Sequence, residues 1–184
     1  MTRPASGTRQ RIQDVARALF TEKGVQRTSL QDIADRLGIT KPALYYHFRS
    51  REELVRSILQ PLIDEGEVFI AEQERKRVAD RPSPRELLEG YFDFHYRHRA
   101  DLVLLVSELT TLADLGLIEA ILAWRARLGA LVFGRRPTLA QSTRAVIAFG
   151  GLQDCCLQFP DADYEELRRA TVDGAMAVLG ERAD

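Results

Sequence analysis

The sequence predicts an all-α protein, with an N-terminal three-helix head of the helix-turn-helix type and a C-terminal helical body. Three observations support this prediction. Apolar residues recur at helical spacing along most of the 184 residues. No stretch keeps the alternation of a half-buried strand for more than a few residues. Serine, threonine and aspartate precede the apolar segments, and glycine or proline follows them, as at helix ends.

The first two helices are predicted from their apolar faces and their end residues. In residues 12–20 the apolar side chains recur with the period of a helix, and Gly24 then stands where a left-handed residue would end it. Ser29 precedes the second apolar segment, and Asp32 follows at the spacing of a capping box. We expect the second helix to end at Gly38.

A third, short helix follows after a tight connection. Thr40 is a favourable N-cap, and Pro42 in the first turn costs nothing, because the N–H that proline lacks would be unpaired there. We expect this helix to end near Phe48. Two helices joined by a short connection centred on a glycine must cross steeply. This is the arrangement that seats the second helix of a helix-turn-helix in a major groove.

A fourth helix is predicted from Arg51, after the cap Ser50. Pro61 and Gly66 lie inside it and predict a kink or break. Two interpretations of Pro61 remain open: it forms a joint between the two parts of the chain, or it marks the end of the fourth helix. We divide the chain into a head, residues 1–56, and a body, residues 57–184.

The body is predicted to hold five further helices. Residues 79–84 contain two prolines and form the clearest linker, and Ser83 with Pro84 opens the next helix. Glycines and prolines separate the apolar segments that follow. The predicted ranges are 84–98, 101–113, 117–133, 138–159 and 163–179.

Charge is unevenly distributed, although the formal net charge is only -1. Residues 1–60 hold eleven Lys or Arg and six Asp or Glu, whereas residues 61–184 hold fifteen and twenty-one. A basic head on an acidic body indicates that the head meets a polyanion. The alternative is that the asymmetry only serves solubility.

The composition also argues against several classes of protein. The longest aliphatic run, residues 102–106, has five residues, far fewer than the roughly 20 that cross a bilayer, so no membrane partner is expected. Cys155 and Cys156 are sequence neighbours and form no disulfide framework. We interpret them as packing residues rather than redox sensors. We expect a cytoplasmic protein without a cofactor.

Three segments carry a more specific signal: TSLQDIA at residues 28–34, LGITKPALYYHF at 37–48 and REEL at 51–54. Together they closely resemble the DNA-binding head of the tetracycline-repressor (TetR) family, over about residues 9 to 58. The body resembles that family only in length and helical pattern. One departure is Arg51, where lysine is more usual; arginine keeps a charge that seeks phosphate but changes its geometry.

The resemblance implies that the third helix and its surroundings contact DNA. Leu44 and Phe48, four residues apart, face the core of the head and leave the other side chains for the groove. Lysine donates to guanine edges or phosphates, and tyrosine hydroxyls bind phosphates. The alternative is that the tyrosines close the small core. The implied contacts are Gln31, Thr40, Lys41, Pro42, Ala43, Tyr45, Tyr46, His47 and Arg51.

Bulky side chains on four helices of the body have two interpretations. They fill a core, as in most proteins, or they line an inducer cavity, as the resemblance implies. The set is Tyr91, Phe92, His95, Trp124, Phe149 and Met176. His95 and His98 have a spacing that could hold a metal, but two ligands are too few, so no metal site is expected.

Three charged residues of the body fall within or beside apolar stripes, where a charge needs a partner. They are Glu108, Arg125 and Asp154. These residues either pair with one another, or one of them orients a ligand. Nothing in the spacing of Cys155, His95 and the carboxylates indicates catalysis, so no catalytic residue is assigned.

The last two predicted helices present small and branched side chains that suit close helix packing. These residues are Val146, Ile147, Gly150, Gly151, Leu167, Thr171, Gly174, Ala175 and Val178. Two copies of such a helix pair would form a four-helix dimer interface, as in the TetR family. The alternative is a seam inside one chain.

The sequence therefore predicts a homodimeric transcriptional regulator, most often a repressor in this family. It would bind a pseudo-palindromic double-stranded DNA operator through residues 28–51 and be released by a small-molecule inducer. Two alternatives belong to other classes: a constitutive DNA-binding protein without a ligand, and an enzyme that carries a helix-turn-helix head. A packed body without a cavity would favour the first, and turnover by the body would favour the second.

Overall fold

The computed structural model describes residues 5–76, 82–107 and 117–180. All regular structure within these residues is α-helical, so the predicted fold class is confirmed. The helices are α1 Ala5–Lys23, α2 Leu30–Leu37, α3 Lys41–His47, α4 Arg51–Arg75, α5 Pro84–Arg97, α6 Arg99–Ser107, α7 Leu117–Phe133, α8 Leu139–Gln158 and α9 Tyr164–Leu179.

Side-chain caps begin most of these helices where the sequence predicts them. At α2 the Ser29 hydroxyl accepts a hydrogen bond from the Asp32 N–H, and the Asp32 carboxylate accepts one from the Ser29 N–H. Gly38 ends α2 with φ 66°, a left-handed conformation that favours glycine. The equivalent caps of α3, α4, α5, α8 and α9 are Thr40, Ser50, Ser83, Thr138 and Asp163.

The sixth helix differs from its prediction. α6 begins at Arg99 rather than at residue 101, because His98 serves both α5 and α6. Its N–H donates to the Phe94 carbonyl at 3.2 Å, and its carbonyl accepts from the Leu102 N–H at 3.0 Å. The predicted end at residue 113 lies outside the described residues, as does most of the predicted linker before Ser83.

α4 runs without interruption through Pro61, so the predicted break is wrong, as is the alternative that Pro61 ends the helix. Proline has no N–H to donate to the Ser57 carbonyl one turn earlier. The side-chain amide of Gln13 on α1 takes that place and donates to the Ser57 carbonyl at 3.1 Å. The proline therefore frees a carbonyl that connects α4 to α1.

Gly66 is needed for a close approach between α4 and α7. A Cβ atom at this position would overlap the indole of Trp124, lying 2.7 Å from Cζ2 and 2.8 Å from Cζ3. The indole N–H also donates to the Glu67 carboxylate at 3.3 Å. The helix thus continues past Gly66 into the body, and the boundary predicted between residues 56 and 57 falls inside α4.

One cluster of buried apolar side chains runs through the head and the body. In the body, α8 packs on α7 and α9, and α5 packs on α8 and α9. The head meets the body where α1 touches α6, and there the Arg17 Nε lies 2.6 Å from the Asp101 carboxylate. Among the described helices, none has the length and apolar character that a membrane span requires.

Candidate nucleic-acid interface and inner polar cluster

α3 is a short helix whose packing determines which side chains face outward. It has seven residues, and the Thr40 hydroxyl at its start accepts a hydrogen bond from the Ala43 N–H at 3.3 Å. Leu44 and Phe48 are wholly buried, as predicted. Because these two side chains anchor α3 in the core of the head, the rest of the helix is left for other contacts.

The outward face of α3 holds most of the predicted DNA contacts. Tyr46 is 84% exposed and Tyr45 is 42% exposed, so the alternative that these tyrosines close the core is wrong. We call Lys41, Pro42, Ala43, Tyr45 and Tyr46, all exposed, the recognition face. Thr40 and Gln31 are also exposed beside it, and His47 is half-buried.

A cleft of about 360 Å³ lies beside the recognition face, between α3 and the N-terminal ends of α2 and α4. Its lining includes Lys41, Arg49 and Arg51, opposed by the single carboxylate of Glu52. Helix N-termini offer free N–H groups and a partial positive charge, and the basic side chains add full charges. A phosphate is the kind of group that this lining suits.

Arg51 has its guanidinium engaged within the chain. Its Nη1 donates to the Val25 and Gln26 carbonyls at 3.3 and 3.1 Å, and its Nη2 donates to the Gln26 side chain at 3.1 Å. Arg51 therefore holds the loop between α1 and α2 against α4. The phosphate contact that the resemblance implies for it stays a prediction.

Two basic residues near α3 were missed by the sequence reasoning. Arg9 on α1 donates to the His47 carbonyl at 2.7 Å, and its guanidinium lies 4.1 Å from the centre of the Phe48 ring. Arg49 is exposed and lines the cleft. The signal was available, because phosphate contacts commonly come from basic residues that flank a recognition helix.

The bulky body residues are brought together only in part. Five are buried and Met176 is half-buried. The ring of Tyr91 lies 4.1 Å from that of His95 and 5.4 Å from that of Phe149, measured between centroids. These three residues form one group.

Phe92 and Trp124 lie apart from this group. Phe92 has its ring contacts with Tyr96 and Tyr164, at 5.8 and 6.0 Å. Trp124 stands edge-on to Phe94 at 6.3 Å. Their contacts are those of packing residues within the core.

Two buried polar atoms next to the Tyr91 group have no hydrogen-bond partner in the described part of the chain: the Tyr91 hydroxyl and the Arg125 Nε. The Nη2 of Arg125 donates to the side-chain carbonyl of Gln153 at 3.3 Å. Asp154 is exposed, and the predicted pairing of Arg125 with it is not formed. The other predicted partner, Glu108, lies outside the described residues.

We call Tyr91, His95, Arg125, Phe149 and Gln153 the inner polar cluster. Burial raises the pKa of the Tyr91 hydroxyl, and the charge of Arg125 acts in the opposite direction. Burial lowers the pKa of His95 to about 4, against the effect of a hydrogen bond to the Tyr91 carbonyl. Tyr91 and His95 are therefore neutral at neutral pH. The Nδ1 of His95 donates to that carbonyl at 2.9 Å, because a carbonyl can only accept.

The histidine pair and the buried cysteine of the body have ordinary structural surroundings. His98 Nε2 lies 2.9 Å from the Glu65 carboxylate, whereas His95 is bonded to the backbone. In the described ranges no three or more His, Cys, Asp and Glu residues are grouped to hold a metal ion. Burial raises the pKa of Cys156 to about 12, which keeps this thiol protonated and a poor nucleophile.

The residues predicted for a dimer interface differ in how deeply they are buried within the chain. Those packed inside the chain are Gly150, Leu167, Thr171 and Ala175. Those half-buried are Gly151 and Val178, and those exposed are Val146, Ile147 and Gly174. A Cβ on Gly150 would lie 3.5 Å from the Arg125 guanidinium carbon, whereas one on Gly151 or Gly174 would meet no atom within 4 Å. These last two glycines leave open space outside the chain.

Residues 12–58 match the family model described as "Bacterial regulatory proteins, tetR family". This segment contains most of α1, all of α2 and α3, and the start of α4. These are the elements that anchor and present the recognition face.

Individual relatives extend the similarity beyond the head. The HTH-type transcriptional repressor KstR2 of Mycobacterium tuberculosis is 33% identical over 110 residues, which cover 58% of this chain and 53% of KstR2. The chain thus matches about half the length of this curated relative.

Solved structures match over most of the chain. A transcriptional regulator of the TerR/AcrR family from Aquifex aeolicus has a TM-score of 0.71 at 26% identity, covering 91% of this chain and 96% of that one. FadR of Bacillus subtilis, in complex with stearoyl-CoA, has a TM-score of 0.64 at 15% identity over 92% and 98% of the two chains, which shows a shared fold. Residues 12–58 therefore form a DNA-binding head of the TetR family, and the fold around it resembles that of a TerR/AcrR-family regulator over most of the chain.

Proposed function

We propose that this chain is a ligand-responsive transcriptional repressor. It binds a pseudo-palindromic double-stranded DNA operator as a homodimer through residues 28–51, and a small-molecule inducer releases it. The observation that carries the proposal is the exposed recognition face on a helix whose other side is anchored in the core. We assign DNA binding to residues 1–56, and ligand binding and dimerisation to residues 57–184. The relative KstR2 is named a repressor, which supports repression here.

The recognition face offers the contacts that a major-groove helix needs. Lys41 stands at the N-terminal end of α3, the end that reaches base edges in helix-turn-helix proteins. Pro42 and Ala43 offer apolar contact to a thymine methyl group. The hydroxyls of Tyr45 and Tyr46 bind phosphates and fix the register of the helix on the duplex. The cleft beside them receives the neighbouring backbone.

Dimerisation is proposed through α8 and α9. Val146 and Ile147 expose branched apolar side chains on α8, and water contact with such surface is unfavourable by about 25 cal/mol per Å². Gly151 and Gly174 add positions with open space around them, which lets two helices approach closely. A two-fold dimer built on this surface would hold two recognition faces at a fixed spacing, as a palindromic operator requires.

The inner polar cluster supports a ligand rather than constitutive DNA binding. Within the described residues, a buried hydroxyl and a buried guanidinium N–H have no partners, and such unpaired groups cost free energy. A ligand that supplied acceptors would offset that cost. The structure of FadR in complex with stearoyl-CoA shows that a protein of this fold holds a ligand, which supports the same role here.

Two contacts between the body and α1 offer a route from ligand to DNA. Asp101 in the first turn of α6 bonds to Arg17 on α1, and the Ser57 carbonyl freed by Pro61 bonds to Gln13 on α1. A shift of α6 relative to α4 would therefore move α1 and change the separation of the two recognition faces. The ligand can change operator affinity only by its differential affinity for the two arrangements, and DNA must weaken ligand binding by the same factor.

Selection from random double-stranded DNA with the full chain tests the DNA-binding half of the proposal. We expect a symmetric motif whose half-sites lie about one turn, or a multiple of it, apart, and a logarithm of affinity that falls linearly with the logarithm of salt concentration. Lys41→Ala should weaken operator binding by roughly 1 to 3 kcal/mol and relax the base preference at one operator position. Tyr46→Phe should instead weaken binding to all DNA sequences alike. Recovery of no symmetric motif would contradict the proposal.

Gly151→Leu tests the dimer. The chain itself has room for the new side chain, whereas a close contact between two copies has none, so we expect monomers in sedimentation and a loss of operator affinity. Val68→Leu, at an exposed position of α4, is the control and should stay dimeric. A Gly151→Leu dimer with parental operator affinity would refute the assignment of this interface.

A further inference from the structure

We propose that the body binds an amphipathic organic anion, whose carboxylate accepts hydrogen bonds from the Arg125 guanidinium and the Tyr91 hydroxyl while its apolar part lies against the surrounding rings. The inference rests on the proposed function, because it names the chemical class of the inducer. Three features of the inner polar cluster carry it: among the described residues Arg125 has no anionic partner, the buried Tyr91 hydroxyl has no acceptor there, and the surroundings are apolar.

Among the described residues, the difference in pairing between Arg125 and Arg127 on the same helix is clear. The Arg127 guanidinium lies 2.6 Å from the Glu67 carboxylate and 2.7 Å from that of Glu74. Arg125 makes no ion pair with a carboxylate in the described ranges, and its side-chain partner is the neutral amide of Gln153. Its Nε is buried and unpaired. Arg125 as a whole is half-buried and lines a groove, so an anion can reach its charge and gain strongly from it.

The Tyr91 hydroxyl supplies a second donor in the same region. Tyr91 is only 1% exposed, and its hydroxyl has no partner among the described residues. Both donors lie along the same stretch of α8: the Arg125 guanidinium bonds to Gln153 and lies beside Gly150, and the Tyr91 ring lies 5.4 Å from that of Phe149. His95 is neutral and already donates to the backbone, so it adds no competing charge. One carboxylate, which accepts several hydrogen bonds, can satisfy both Arg125 and Tyr91.

Apolar groups complete the site. The rings of Phe69, Phe94 and Phe149 lie 5.4 to 6.4 Å from that of Tyr91. Arg125 also lines a groove of about 220 Å³ between α7 and α8, whose other walls are mostly apolar. A Cβ at Gly150 would make ordinary van der Waals contact with the guanidinium, at 3.5 to 3.6 Å, so the guanidinium lies against α8 at this glycine. The site therefore combines one cationic end with an apolar wall.

The test uses the full chain and three carboxylate probes: octanoate, decanoate and naphthoate, each beside its primary alcohol. Calorimetry measures binding, and fluorescence anisotropy measures release of the selected operator. We expect each carboxylate that binds to do so at least about tenfold more tightly than its alcohol, the usual gain from hydrogen bonds to a charged group. Bound carboxylate should also weaken the operator complex.

Two variants separate the roles of the donors. Tyr91→Phe should leave the free protein as stable as the parent or more so, since it removes an unpaired hydroxyl, and should lower carboxylate affinity about tenfold. Arg125→Gln should abolish the preference for carboxylate over alcohol. Arg97→Gln is the control, because it removes the same charge from an exposed ion pair with Glu65 and should keep the parental preference.

Three results would overturn the inference: equal affinity for carboxylates and alcohols, a preference that survives Arg125→Gln, or no binding of any carboxylate at millimolar concentration. The proposed function fails in different ways. Its DNA half fails if the probe-free chain selects no operator. Its regulatory half fails if carboxylates bind with the expected dependence on Tyr91 but leave the operator complex unchanged.

Discussion

The head exposes its polar functional groups, whereas the body encloses them. On α3 the recognition face is exposed, Leu44 is wholly buried, and Phe48 directly after the helix is buried with it. In the described part of the body, the Tyr91 hydroxyl and the Arg125 Nε are buried without hydrogen-bond partners. An exposed polar group costs little before its ligand arrives, but a buried unpaired one lowers the stability of the empty protein. Function and stability are therefore separable in the head and opposed in the body.

The largest effect is expected from a pair of substitutions that tests whether DNA binding and stability are separable in the head. Phe48→Ala removes a wholly buried ring and should lower the free energy of unfolding by about 3–5 kcal/mol. Tyr46→Ala, on the exposed side of α3, should change it by less than about 0.5 kcal/mol and yet weaken DNA binding. Denaturant titration and DNA titration measure the two properties. Equal loss of stability in both variants would break the comparison.

A second test uses pH to measure how far a buried polar group lowers the stability of the body. Burial lowers the pKa of His95 to about 4 in the folded chain, whereas the ordinary value is 6.5. Between these values the unfolded chain binds more protons, so the free energy of unfolding falls as the pH falls through this window. The contribution of this group is about 3 kcal/mol at most, and it is fully present above pH 6.5.

His95→Asn should flatten that dependence while keeping a donor close to the Tyr91 carbonyl. Denaturant titrations of the parent and the variant on both sides of the window give the slopes. A variant that loses stability with acid as steeply as the parent would show that His95 is not the group responsible.

The head could be predicted almost to the residue because its helix ends are decided locally. Ser29 and Asp32 form the capping box that their spacing predicts, and Thr40 caps α3 as expected. The burial of Leu44 and Phe48 followed from the helical period. What the sequence did not indicate is where Arg51 points, because its acceptors belong to a loop about 25 residues away.

The body was harder to predict because residues distant in the sequence supply hydrogen bonds and packing contacts that local patterns do not reveal. Pro61 predicts a break, but Gln13 bonds to the carbonyl that the proline leaves free. Gly66 also predicts a kink or break, but α4 continues through it and the Trp124 indole occupies the space beside it. Apolar spacing on α8 and α9 likewise shows which residues share a face, and it cannot show which face is turned into the chain.

The smallest expected effect is the loss of the α2 capping box in acid, which should occur at lower pH than the loss of stability caused by protonation of His95. The Asp32 carboxylate accepts hydrogen bonds from the Ser29 hydroxyl and the Ser29 N–H, both at 2.7 Å, and these bonds hold its pKa below the ordinary 3.8. Such a carboxylate contributes stability above its unfolded pKa and loses it as the pH falls through the folded value. The first turn of α2 should therefore loosen only below about pH 4, after the body has lost the contribution of His95.

Because Asp32 lies at the surface, the loss should be small and confined to that turn. Amide hydrogen exchange at Asp32 and Ile33 through an acid titration measures it, and Asp32→Asn should weaken protection there already at neutral pH, since an amide is a poorer acceptor than a carboxylate. Gln31 and the cleft beside the recognition face depend on the same turn, so operator affinity should fall slightly in this variant while inner-cluster properties stay unchanged. Loss of protection throughout the head at a pH where the body is still intact would show that the head is acid-sensitive as a unit, and the contrast between local and enclosed polar groups would not hold.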